Sequence, residues 1–137
     1  MQYWLVKSEP YKWSWEMHVK KGVEGWDGVR NYQASNNMKA MKIGDKAFFY
    51  HSNEGKEIVG IVEVVEEYHP DPTDESGRFG MVSFKAVKPL KRPVTLAEIK
   101  ADPKLAAMAL LKQSRLSVSP VKKEEWDYIL DLSKNAA

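Results

Sequence analysis

The stretch that decides the fold is KAFFYHSNEGKEIVGIVEVVE, residues 46–66. Its first part, KAFFYHS (46–52), and its last, IVGIVEVVE (58–66), are dense in aromatic and β-branched residues, which suit the pleated, packed surface of a sheet. Asn53, Glu54, Gly55 and Lys56 stand between them and have turn composition. Strands joined this tightly pair antiparallel, so an all-parallel sheet is excluded.

Upstream, QYWLV (2–6) reads as a short buried strand. Lys7-Ser8-Glu9-Pro10 ends it, because Pro10 has no N–H for a ladder and holds Glu9 extended. Ser14 is placed to cap a short helix carrying Trp15, His18 and Val19 that stops at Lys20-Lys21-Gly22. Ala34, Met38 and Met41 lie on one helical face, which predicts a helix over 31–42 ended by Gly44. Downstream, Tyr68 to Gly80 is rich in turn formers and reads as a loop. Val82, Phe84 and Ala86 alternate along MVSFKAVK (81–88), a third strand. Thr95 and Glu98 form a capping box, and Asp102-Pro103 opens another helix with Leu105, Met108 and Leu111 on its apolar face. Leu116-Ser117-Val118 reads as a short strand, and Trp126, Ile129 and Leu130 share one face of a last helix. The order β α α β β β α α β α predicts an α+β fold, a small mixed sheet or barrel flanked by helices.

The chain has 137 residues, with 21 Lys+Arg against 19 Asp+Glu, a formal charge of +2. One domain over residues 1–137 is the expectation, with no repeat, linker or low-complexity segment. The absence of cysteine excludes disulfides, thiol nucleophiles and thiolate metal sites. His18, His51 and His69 contain no i, i+4 pair, so no metal is expected. No phosphate-binding loop, dinucleotide fingerprint or serine-hydrolase elbow is present, and no cofactor is implied. No apolar run has the length of a membrane span, and MQYWLVKSEP has neither a signal nor a transit pattern. A cytoplasmic protein, or a nuclear one in a eukaryote, is expected, without membrane association and as a monomer.

Four of the five tryptophans fall within the first 26 residues. Trp26 precedes an Asp27-Gly28 turn, an unusual place for a core tryptophan because turns lie at the surface. A planar ring at a loop edge beside amide, hydroxyl and carboxyl groups is what a nucleobase pocket needs: the base stacks and its edge is read by hydrogen bonds. The competing reading is that Trp26 plugs one end of the core. With so small a net charge, nucleic-acid affinity would need a local basic patch. Lysines and arginines do cluster, at 20–21, 39–46, 85–92, 112–115 and 122–123, while acids gather at 63–75. His51 and Ser52 are adjacent and point to opposite faces of a strand, so they cannot act as base and nucleophile. Lys7 and Glu9, two apart on an extended segment, can share a face and do acid–base work, or be an exposed pair of no consequence.

Six ordered blocks also carry a resemblance: YWLVKSEP (3–10), WDGVRNYQA (26–34), MKIGDKAFFYHSN (41–53), GIVEVV (60–65), HPDPT (69–73) and RLSVSPV (115–121). They resemble the EVE domain family, and the match runs through roughly residues 2–132. The resemblance implies a PUA-like fold, a small mixed β-barrel with helices around it, related to YTH and ASCH domains. It implies a non-enzymatic module that recognises a modified nucleobase in DNA or RNA through an aromatic pocket. Carried onto this chain, the pocket would use Ser8, Glu9, Trp13, Trp26, Asp27, Gly28, Val29, Asn31, Tyr32, Tyr50, His51 and Ser52. Arg30 and Arg115 would hold phosphate at the rim, Arg30 being equally open to an ion pair with Asp27 or Glu9. Family members often carry Pro-Arg-Trp where Gly77-Arg78-Phe79 stands here, so Phe79 would replace the tryptophan of the lid. Kinship with ASCH domains raises a rival, a small amide hydrolase of modified nucleosides using Lys7 and Glu9. A third reading is a protein-interaction domain without a pocket.

Overall fold

The computed structural model describes residues 1–135. Its elements run β1 (Tyr3–Ser8), α1 (Trp15–Lys21), β2 (Val23–Gly25), α2 (Tyr32–Ala40), β3 (Lys46–His51), β4 (Glu57–Pro70), β5 (Gly80–Thr95) and α3 (Leu96–Ala101). A 3-10 turn (Pro103–Leu105), α4 (Ala109–Lys112), β6 (Val118–Val121) and α5 (Lys123–Lys134) follow. All six strands join one sheet in the order β2-β5-β4-β3-β1-β6. The α+β class and the mixed sheet stand as expected.

The barrel is corrected. Among the described residues β2 and β6 each pair on one side only, so the sheet is open. Both are short, three and four residues, a common way to blunt an exposed edge. Helix α2 packs against β4, β5 and β6.

Side chains of successive strand residues point to opposite faces, and the sheet accordingly separates two apolar cores. Trp4, Val6, Phe49, Val62 and Phe84 face one, under α1 and α2. Leu5, Phe48, Ile58, Ile61 and Val94 face the other, under α3 and α5. On that second side Trp126 stacks on Phe48 with ring centroids 3.9 Å apart.

Next to the edge strand β6, β1 runs parallel to β3, with Tyr3 opposite Lys46 and Ser8 opposite His51. The buried carboxylate of Asp45 fixes this entry point. It accepts hydrogen bonds from the Trp4 indole (3.2 Å), the Gln2 N–H (3.2 Å) and the Lys42 N–H (3.1 Å).

Several sequence expectations shift. β4 and β5 run further than 58–66 and 81–88 and take both ends of the loop expected at 68–80, leaving residues 71–79. Register shifts at four places let this long pair bend and let β5 accommodate Pro89 and Pro93. The helix expected after Asp102 breaks into the 3-10 turn and α4, because Met108 leaves helical geometry (ψ 138°) to bury its side chain. The short strand begins at Val118 instead of Leu116, and Pro120 is tolerated because β6 is an edge. β2 carries no alternation and was not expected from the sequence.

Gly60 lies against the Trp15 indole so closely that an added Cβ would sit 2.6 Å from ring carbons. That ring is buried and wedged edge-on against Phe49, so it has little room to retreat. Gly60→Ala should therefore destabilise the fold by overpacking, by about 1–3 kcal/mol. Chemical denaturation is the check, and a variant as stable as wild type would contradict this packing.

Candidate functional site

The parallel pairing brings the ends of β1 and β3 to the same rim, and the Ser52 N–H adds one more hydrogen bond to the Ser8 carbonyl (2.9 Å). A cleft of about 1230 Å³ opens there. Of the residues expected from the sequence, it is lined by Ser8, Glu9, Trp13, Trp26, Asp27, Gly28, Val29, Arg30, Asn31, Tyr50, Ser52 and Arg115, with Lys7 beside them. Segments more than 100 residues apart in sequence thus share one wall.

Three expected residues lie off that lining. His51 is turned toward α1, where its Nε2 accepts the Trp15 N–H (3.0 Å) and its ring meets Phe49. Tyr32, 64 % exposed, packs on Phe79 with centroids 5.0 Å apart, and the Arg30 guanidinium lies 5.7 Å from the same ring. These two aromatics form an exterior shelf beside the cleft instead of its lid.

Trp26 is both core and wall. It is 7 % exposed and meets Phe49 and Phe84 nearly at right angles, yet it borders the cleft. Trp13 is half-buried, so it offers the cleft more of its ring. Its indole N–H donates to His18 Nδ1 (3.0 Å). An indole nitrogen can only donate, so Nδ1 is unprotonated and the proton of His18 sits on Nε2, which donates to the Phe84 carbonyl (2.9 Å). His18 is fully buried and neutral.

The loop carrying Trp26 is anchored by Asp71. Its buried carboxylate accepts the Gly28 N–H (2.9 Å) and Arg30 Nη1 (3.1 Å) on one oxygen, and the Thr73 N–H (2.8 Å) and hydroxyl (2.6 Å) on the other. Burial alone would raise its pKa, but the Thr73 hydroxyl, the Gly28 and Thr73 amides and Arg30 together pull it to about 2. Arg30 is thus an ion-pair partner, as one alternative had it, but of Asp71 and not of Asp27 or Glu9. Burial and the nearby charges of Asp71 and Glu24 push the Asp27 carboxyl up. Asn31 caps α2 through its Oδ1, which accepts the Ala34 N–H (2.9 Å). That leaves its amide NH2 free to donate.

Lys7 and Glu9 do not pair. Lys7 Nζ donates to the Ser114 carbonyl (2.7 Å), and burial lowers its pKa. Glu9 accepts from the Tyr11 hydroxyl and from Asn53 (2.9 Å), and lies 3.6 Å from Lys12. The cleft also contains residues that sequence reasoning missed: Lys12, Glu24, Gly25, Asn53, Lys56, Leu96, Lys100, Leu110, Leu111, Ser114 and Ser117. Lys12, Asn53 and Lys56 carried a signal, their place in the turns that follow β1 and β3. Those from 96–114 carried none. No group of metal-ligating side chains suited to an ion occurs among the described residues, and no helix among them is long and apolar enough to cross a membrane.

Residues 2–132 match the EVE domain family model. The chain belongs to the EVE domain family. Human thymocyte nuclear protein 1 is 34% identical over 171 residues, covering 96% of this chain and 74% of the human protein. An NMR structure of a protein from Rhodopseudomonas palustris is 60% identical, with a TM-score of 0.93 over 98% of this chain and 94% of that one. The structure of human THYN1 protein in complex with 5-methylcytosine-containing DNA superimposes with a TM-score of 0.95 at 34% identity, covering 100% of both chains. An ASCH protein from Zymomonas mobilis, with a TM-score of 0.62 at 16% identity over 96% of this chain and 95% of that one, shares the PUA-like fold of this EVE domain.

Two predictions follow from these contacts. Asp71→Asn should cost roughly 1.5–3 kcal/mol of stability at neutral pH, the scale of losing charge-assisted hydrogen bonds to a buried carboxylate. Denaturant unfolding of the variant tests this. The pH dependence of the wild type should show the two histidines that accept hydrogen bonds, buried His18 and half-buried His51. Burial lowers the pKa of both His18 and His51 from the ordinary 6.5. Stability is then complete above pH 6.5 and falls as the pH drops below it, because the unfolded chain binds protons that the folded one resists. An unfolding free energy that stays flat from neutral pH to about 5, above the carboxylate range, would contradict the neutral assignment.

Proposed function

We propose that this EVE domain is a non-enzymatic module that binds a modified nucleobase within nucleic acid, 5-methylcytosine in DNA being the first candidate. The observation that carries the reading is the meeting of Trp13 and Trp26 with Asp27 and the unspent amide of Asn31 in one cleft at the strand ends. The tryptophans supply aromatic surface for a base. Cytosine presents an N4 amino donor and ring acceptors. Asp27 would accept from N4 and the Asn31 amide would donate to an acceptor on the same edge, with Ser8 and Ser52 close by. The complex of the human relative with 5-methylcytosine-containing DNA supports this ligand class. Burying the extra methyl contributes about 0.8 kcal/mol, roughly a fourfold preference over unmodified cytosine.

The hydrolase alternative needs Lys7 and Glu9 to act together, and their engagement with separate partners favours the binding reading. Likeness to an ASCH protein at this identity speaks to fold alone.

Trp26→Ala is a poor test, because removing a buried tryptophan costs about 3–5 kcal/mol of stability. Trp13→Ala is the better one. It should weaken binding of 5-methyl-2′-deoxycytidine by about 5- to 150-fold, the worth of one stacked base. The loss should be independent of salt, because stacking releases no counterions. Calorimetric titration of wild type and variant, with chromatography of the recovered nucleoside, is the measurement. Equal affinity in a folded Trp13→Ala protein would refute the aromatic slot, and a converted nucleoside would refute the non-enzymatic reading.

A further inference from the structure

The cleft straddles the end of the sheet, and its two sides differ in chemistry. Val6 belongs to the core under α1 and α2, and Ser8, two residues on, shares its face. Leu5 belongs to the opposite core, so Lys7 faces that way, as does its cross-strand partner Tyr50. Leu110 and Leu111 pack on that second side too. The tryptophan side is therefore one half of the cleft, and the half floored by Tyr50, Leu110 and Leu111 is another.

The cations divide in the same way. On the tryptophan side Lys12 is paired with Glu9 (3.6 Å) and Arg30 with Asp71 (3.1 Å), and Glu24 and Asp27 add negative charge. On the second side Lys56 and Lys100 are exposed and form no ion pair among the described residues. Lys56 is tied to this side through its carbonyl, which accepts the Leu96 N–H (2.8 Å), and Lys100 follows the buried Ile99 on α3. The full volume, about 1230 Å³, exceeds the ~300–1,000 Å³ of ordinary small-ligand sites. A single base does not fill it.

We propose that the second half is a subsite for the nucleotide adjoining the read base on the same strand, with its base and sugar against Tyr50, Leu110 and Leu111 and its phosphate held by Lys56 and Lys100. This rests on the reading of the tryptophan half as the base pocket. It moves the phosphate contact away from Arg30, while Arg115, the other arginine expected at the rim, lines the cleft exposed and without an ion pair among the described residues and keeps that place. Arg30 is spent on Asp71, while Lys56 and Lys100 have nothing else to neutralise.

The test is a titration of wild type and the Lys56→Gln/Lys100→Gln variant against two probes over a series of salt concentrations. One probe is free 5-methyl-2′-deoxycytidine, which has no phosphate. The other is a short single strand centred on that nucleotide. The variant should bind the nucleoside as wild type does. It should bind the strand more weakly, with the slope of log K against log salt reduced by about 0.7, the worth of the one phosphate that the two lysines neutralise. Unchanged strand affinity and slope would overturn the subsite and leave the base pocket standing. Equal weakening toward the nucleoside would also overturn it, since the lysines would then act on the pocket itself. A wild type that binds the strand but not the nucleoside, with a lysine-dependent slope, would overturn the base pocket and with it the subsite's place beside a read base, leaving the lysines as a bare strand contact. A wild type that binds neither probe would overturn both.

Discussion

The parallel pairing of β1 with β3 is the constraint on which the rest of the structure depends. Parallel strands cannot be joined by a tight turn, so the chain must leave Ser8, cross one face of the sheet and re-enter at Lys46. The residues from Trp13 through Asn31 that wall the tryptophan half of the cleft lie in that crossover. The pairing also sets both strand ends level, Ser8 beside His51. A ladder ending at one rim leaves its last side chains to alternate between the two faces, and the cleft draws on both. Asp45 secures the entry of β3 by tying the Trp4 indole and two backbone amides to one buried carboxylate.

The same economy of buried polar groups runs through the crossover. His18 and Asp71 are both enclosed and both fully hydrogen-bonded, one neutral and one ionised. His18 holds Trp13 to the core by accepting its indole hydrogen. Asp71 holds the loop around Gly28, whose positive φ of 78° suits the turn after Trp26 to glycine. Each tryptophan of the cleft is therefore positioned from behind by a group that is itself out of reach of a ligand. Rigid walls of this kind lower the ordering cost of binding.

Much of the fold was legible in residues 46–66 and in the apolar alternation of 81–88. Strands that must pack on both faces reveal themselves through β-branched and aromatic density, and Ser14, Asn31 and Thr95 reveal helix starts through their capping chemistry. Closure of the barrel was not legible. It depends on whether two short edge strands, β2 and β6, meet in space, and no spacing along the chain encodes that. The site was legible where it followed strand ends, as at Ser8, Glu9, Tyr50 and Ser52, and where Trp26 sat beside a turn. His51 was misplaced for a simple reason: the register of β3 turns it toward α1, and a single step along a strand reverses a side chain.

The sequence by itself determined the α+β class, the hairpin, the caps and the absence of thiol chemistry, because each rests on local composition and spacing. Its ordered motifs also determined membership of the EVE domain family. Only the tertiary structure decided which cations are free. Arg30 and Lys56 are alike as letters in the chain, but one faces a buried carboxylate brought from residue 71 and the other faces an open cleft. Charge pairing across 41 residues is a property of the packed molecule, where distance and burial set the interaction, and no spacing along the chain encodes it.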